Sequence, residues 1–175
     1  MRFVFAGTCL GLALVLVAPG QSPAQVASEE ANRISHVLDV LHDAASKADF
    51  ERYFDVYAGN AIFLGTDATE RWTRSEFMEY AKPHFDRRVG WTYVLIERHV
   101  YVSEDGATAW FDERLYNSSL GETRGSGVLI RQDGEWKVAQ YNLTIPIPNV
   151  LAAKVVEQIR SSSEESGGEE STSEE

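Results

Sequence analysis

The chain has 175 residues, with 16 Lys and Arg against 27 Asp and Glu, a formal charge of −11. A chain this acidic repels phosphate-rich partners, which argues against nucleic acid and anionic membranes. Its one cysteine, Cys9, excludes an intrachain disulfide framework and a Cys-ligated metal centre.

Residues 1–24 read as a secretory signal. Arg2 supplies the positive charge, Phe3 to Ala18 form the apolar run, and Pro19-Gly20 break it. Ser22-Pro23-Ala24 places small residues for cleavage after Ala24, so the mature chain is expected to start near Gln25, or near Glu29 after Val26-Ala-Ser28. The run is short for a membrane span, which needs about 20 apolar residues. The expectation is an exported protein, periplasmic or extracellular, with no membrane contact once the signal is gone. Cys9 would leave with it. At the other end, residues 161–175 contain only Ser, Thr, Glu and Gly, and are expected to be a disordered acidic tail. Residues 29–150 read as one domain and 151–160 as a helical extension.

Within the domain, Asn32 to Ala48 has helical spacing, with Ile34, Val37, Leu38, Leu41 and Ala45 on one face. Asp49 caps a second helix over Phe50–Ala58, with Gly59-Asn60 as its stop. Ala61–Leu64 is a short strand. Thr73 and Glu76 have the spacing of a capping box, opening a helix to about Phe85 with Phe77, Tyr80, Ala81 and His84 on one side. Four strands follow, near Trp91–Val102, Ala107–Asn117, Thr123–Gln132 and Trp136–Ile145. The last two meet at Asp133-Gly134, a strong hairpin signal. Segregated helices and an antiparallel sheet define the α+β class. The last strand carries Trp136 and Val138 on one side and Ala139, Tyr141 and Leu143 on the other. Apolar groups on both faces ask for a second covering layer. A homodimer partner is expected to supply it, with a helix over Asn149–Ile159 as the alternative.

His36, His42, His84 and His99 are scattered, without metal-ligand spacing, so they read as surface or core residues; no metal or cofactor is expected. Gly125-Ser-Gly127 lies inside a strand and lacks the spacing of a nucleophile elbow. Polar groups concentrate in two places. Gly65 to Trp72 gathers Asp67, Glu70, Arg71 and Trp72 in a loop, and Trp110-Phe-Asp-Glu-Arg114 sets three charges inside an apolar strand. By alternation Trp110, Asp112, Arg114 and Tyr116 share a face, opposite Phe111, Glu113 and Leu115. Buried strand charges are usually paired. Glu113 is expected to pair with Arg124 on the next strand, and Asp112 to point into a cavity.

Arg124-Gly-Ser-Gly-Val-Leu-Ile-Arg131, Asp133-Gly134, Trp136 to Asn149 with its Pro-x-Pro stop, and Gly65 to Trp72 together resemble the SnoaL-like branch of the nuclear transport factor 2-like superfamily. The resemblance covers about residues 30–150. It implies a cone-shaped α+β domain with one pocket and a strongly curved antiparallel sheet on N-terminal helices. It also implies a common use of the sheet face for dimerisation. Members include ketosteroid isomerase, polyketide cyclase, dehydratases and a non-catalytic kinase association domain. The isomerase's tyrosine, aspartate base and protonated aspartic acid fall on Leu41, Gly65 and a position near Ser126, none of which can serve. The expected pocket holds Tyr57, Asp67, Trp72, Trp110, Asp112, Arg114 and Tyr141. The expected function is binding of a small organic molecule. The alternatives are a cofactor-free isomerase, cyclase or hydratase-type lyase using Asp67 or Asp112, and a protein-interaction module.

Overall fold

The computed structural model describes residues 23–169, with the backbone alone for 23–27 and 163–169. Of the expected leader, residues 1–22 lie outside the described residues, as do residues 170–175 of the tail.

Helix α1 spans Pro23–Ser46. Its stripe of Ile34, Leu38, Leu41, Ala44 and Ala45 is buried, the spacing that puts apolar side chains on one face of a 3.6-residue turn. Ala48, in the left-handed region at φ 51°, turns the chain. Asp49 then caps α2, Phe50–Asp55, by accepting from the Arg52 N–H at 3.2 Å. This helix ends before the expected Ala58, because Tyr57 and Ala58 are drawn into strand β1, Tyr57–Leu64. There the Val138 N–H donates to Val56 O at 2.8 Å. Gly59-Asn60 is therefore not a helix stop. It lies in an irregular stretch of β1, where the register shifts between Tyr57 and Ile62.

A short strand absent from the sequence reading, β2 (Arg71–Thr73), pairs antiparallel with β1. Helix α3, Arg74–Asp86, opens with the expected capping box: Glu76 accepts from the Thr73 N–H at 2.8 Å and Thr73 Oγ1 accepts from the Glu76 N–H at 3.3 Å. Phe77, Ala81 and Phe85 are its buried face, while Tyr80 is exposed. Strands β3 (Val94–Val102), β4 (Thr108–Asn117), β5 (Gly121–Gln132) and β6 (Glu135–Thr144) form the meander. Asp133 and Gly134, at φ 53° and 84°, close the β5–β6 hairpin, as a two-residue turn of that twist requires.

The sheet order is β2-β1-β6-β5-β4-β3. The sheet is mixed, not antiparallel as expected, since β1 runs parallel to its neighbour β6. After β1 the chain passes through β2, α3 and the meander before β6 returns beside it in the same direction. The sheet is open, and helices α1, α2 and α3 pack against it.

The last strand departs from simple alternation for a local reason. Leu129 pairs with Val138 and Val128 with Gln140, so Ala139 is an extra residue. This bulge reverses the parity of β6. Trp136, Val138, Tyr141 and Leu143 are all buried. The apolar groups expected on two faces thus serve one core, and β6 itself no longer calls for a covering partner.

Helix α4, Asn149–Glu169, continues beyond the Arg160 boundary read from composition, nine residues into the Ser/Glu segment. The Ser161 and Ser162 hydroxyls bond back to the carbonyls of Glu157 and Gln158 at 3.0 and 2.9 Å. Val150, Leu151, Val156 and Ile159 are exposed, so α4 does not cover the sheet within the chain.

Candidate functional site

Between α1, α3 and the sheet lies a cavity of about 170 Å³. Its walls are aromatic: Phe63, Trp72, Phe77, Trp91 and Tyr93 line it, with Tyr80 at the rim. Phe63 stacks on Phe77 with centroids 4.0 Å apart, and Trp72 stacks on Tyr80 at 5.0 Å. Gly65, Thr66 and Glu70 border it from the loop after β1, and Leu120 from the β4–β5 turn. His42 and Tyr141 also line it.

Behind those two side chains sits Glu113, wholly buried on β4. Its Oε1 accepts from the Tyr141 hydroxyl at 2.8 Å and bonds His42 Nε2 at 2.7 Å. Its Oε2 accepts from Arg98 Nε at 2.8 Å. Arg98 Nη1 donates further to Ser35 O at 2.9 Å and Asp39 Oδ1 at 2.8 Å. Burial pushes the Glu113 carboxyl up, but the His42 bond and the charges of His42 and Arg98 outweigh it and hold the carboxyl below its ordinary range. Glu113 is therefore an ionised acceptor at neutral pH, and His42 donates to it from Nε2. His42 Nδ1 has no partner among the described residues. A carboxylate that fixes the tautomer of a histidine leaves its other nitrogen available to a ligand.

Burial, and then the nearby Glu113 charge, keeps the Tyr141 hydroxyl protonated well above the ordinary tyrosine range. Burial also raises Tyr93, which faces His42 with ring centroids 6.4 Å apart. Gly125 lies opposite Glu113 in the register, and the junction explains why a glycine stands there inside β5. A Cβ there would overlap the Tyr141 hydroxyl and crowd Glu113 Oε1. Glycine in a strand marks such a close approach.

Of the residues expected to form a pocket, the structure brings Trp72 and Tyr141 to the cavity. Tyr57 is buried behind it, its hydroxyl 3.1 Å from that of Tyr53. Asp67 is exposed and closes its own loop by accepting from the Thr69 N–H at 2.8 Å and hydroxyl at 2.6 Å. Those bonds hold its carboxyl below the ordinary range, the opposite of a base tuned toward neutrality. Trp110, Asp112 and Arg114 do share a face, but it is the outer one. Ala109, Phe111 and Leu115 are buried on the other side, and Glu113 shares their parity. The Glu113–Arg124 pair is likewise corrected: Arg124 lies opposite Arg114 on the outer face, and Glu113 pairs with Arg98 and His42. Arg114 bonds Glu122 at 3.0 Å. Sequence reasoning missed His42, Arg98 and Tyr93, and named Glu70 among the polar groups of its loop without placing it in the pocket. His42 had a legible signal, since it sits between Leu38 and Ala45 on the buried stripe of α1.

Helices on one side of an open sheet, with an aromatic cavity between them and a buried ion pair beneath, define the α+β architecture of the chain. The SnoaL-like domain family matches residues 34–148, and the chain belongs to it. No curated protein matches it. Solved structures share the fold. A protein of unknown function from Mycobacterium tuberculosis is 20% identical with a TM-score of 0.61, covering 74% of this chain and 79% of its own. A nuclear transport factor 2-like protein of unknown function from Pseudomonas putida is 14% identical with a TM-score of 0.58, covering 70% and 90%. A proposed dehydratase of the same family from Streptomyces avermitilis is 14% identical with a TM-score of 0.60, covering 69% and 99%. At these identities the likeness is one of fold.

Proposed function

We propose that the chain is an exported small-molecule-binding protein, periplasmic or extracellular, whose ligand is about the size of one six-membered ring. The observation that carries this reading is the aromatic cavity of about 170 Å³ with the open His42 Nδ1 on its wall. A dry cavity of about 150 Å³ is enough for benzene, and aromatic walls with one or two placed polar atoms are what a ligand site needs. Export rests on the leader pattern of residues 1–24. The test is a titration of benzyl alcohol followed by amide shifts. Shifts are expected at Trp72, Trp91 and His42. Leu120→Trp, which narrows the mouth from an exposed turn, should abolish them without unfolding the domain. Unchanged shifts in that variant would place binding elsewhere.

The Glu113–His42 arrangement favours a second reading, a cofactor-free isomerase or lyase in which His42 Nδ1 takes a proton from bound substrate and returns it. His42, not Asp67 or Asp112, would be the base. His42→Gln would then abolish turnover while cavity shifts persist. A homodimer through the outer sheet face is supported by exposed Tyr101, Trp110 and Tyr116, with Tyr101 stacked on Trp110 at 5.7 Å. Sedimentation at micromolar concentration would show twice the chain mass, and a monomer there would remove the dimer and weaken the interaction-module reading.

A further inference from the structure

We infer that the cavity selects a small organic cation, an ammonium on a single ring or a comparable alkyl frame, and that Glu70 determines this preference. The inference rests on the small-molecule reading above and adds the charge of the ligand. Glu70 is the one acidic side chain lining the cavity, and neither lysine nor arginine lines it. Its Oε2 accepts from the Asp67 N–H at 3.1 Å, and no cationic side chain pairs with it among the described residues.

The loop is built to hold this carboxylate at the rim. The Gly65 N–H donates to Glu70 O at 2.9 Å and the Glu70 N–H to Asp67 O at 3.1 Å. Gly65 is the residue against which the side chain folds, since a Cβ there would overlap Glu70 Oε2. The rest of the wall works in the same direction. Trp72, Tyr80, Trp91 and Tyr93 line the cavity, and an aromatic face turned to a ligand attracts a cation and repels an anion. The buried Glu113 charge is compensated by Arg98 at 2.8 Å. Arg98 does not line the cavity, so the positive charge of that pair is kept from the ligand.

Three probes of one shape separate charge from size: benzylammonium, benzyl alcohol and benzoate, each titrated into the full chain and followed by amide shifts. Benzylammonium is expected to bind about tenfold more tightly than benzyl alcohol, with benzoate weakest and the preference shrinking as salt rises. Glu70→Gln keeps the shape and the acceptor for the Asp67 N–H but removes the charge. It should bring benzylammonium to the affinity of benzyl alcohol. Gly65→Ala, which displaces Glu70 rather than neutralising it, should reduce the same preference. Benzyl alcohol binding in the cavity as tightly as benzylammonium would overturn the cation preference and leave the small-molecule reading standing. So would an unchanged benzylammonium affinity in Glu70→Gln. No cavity shift with any of the three probes would overturn both.

Discussion

Glu113 shows how one residue joins the core to the cavity. It is a buried carboxylate with three donors, and its neighbour Arg98 is almost as buried. Glu113→Ala leaves that guanidinium with only Asp39 and a carbonyl. Stranding one member of a buried pair costs on the order of 3–5 kcal/mol, which in a domain of this size lowers the melting temperature by roughly 6–20 °C, at about 2–4 °C or slightly more per kcal/mol. Asp112→Asn, on the outer face of the same strand, should change it little. The pH dependence has a definite sign. Because the folded carboxyl lies below its ordinary value of 4.5, its contribution is present above that value and is lost as pH falls through the folded value. The gap between wild type and Glu113→Gln in urea denaturation is therefore expected to narrow as pH drops below about 4.5. A gap that widened would mean the carboxyl is held high instead. The grouping of Trp110, Asp112 and Arg114 on one face was legible from alternation, but the choice of face was not. That choice is made by Ala109, Phe111 and Leu115, whose burial outweighs the cost of taking Glu113 inside once Arg98 and His42 meet it. Those partners come from β3 and α1, and no local pattern relates them to Glu113.

At the scale of elements, what the sequence showed well was chemistry confined to a few residues. The Asp49 cap, the Thr73–Glu76 capping box and the Asp133-Gly134 turn each depend on neighbours in the chain. What it hid was set by pairing at a distance. Strand β1 extends back to Tyr57 only because β6 runs beside it, and Ala139 is a bulge only in relation to β5. The bulge is also what brings Tyr141 to Glu113. Deleting Ala139 removes the bulge and moves Tyr141 and Leu143 back one place, so Trp136, Val138, Tyr141 and Leu143 keep one face by plain alternation and both flanking pairings with β5 survive. The expected outcome is a melt that stays cooperative, seen in near-ultraviolet circular dichroism. Loss of cooperative melting in the deletion variant would show that the bulge itself, and not the shared face, is what the strand needs. Gly125→Ala tests the junction of Tyr141 with Glu113. Its Cβ should separate Tyr141 from Glu113 and destabilise by about 1–3 kcal/mol, read as a lower urea midpoint.

At the scale of the molecule, two surfaces are unequal in their degree of completion. The helical face of the sheet is closed by α1 and α3 around the cavity. The outer face leaves Tyr101, Trp110 and Tyr116 in solvent, and α4 stands apart with Val150 90% exposed. Truncation after Pro148 is therefore expected to leave the monomer's melting temperature within a few degrees, since α4 buries little against the domain. A large loss would reveal that α4 is covered in the assembled protein, by a second copy or by the sheet. The cavity is what the account as a whole depends on. The most direct measurement is a set of intermolecular nuclear Overhauser effects from a bound single-ring probe, benzyl alcohol or benzylammonium, to the full chain. The account predicts contacts to the ring protons of Trp72, Trp91 and His42. Contacts confined to Tyr101, Trp110 and Tyr116 on the outer face would contradict it.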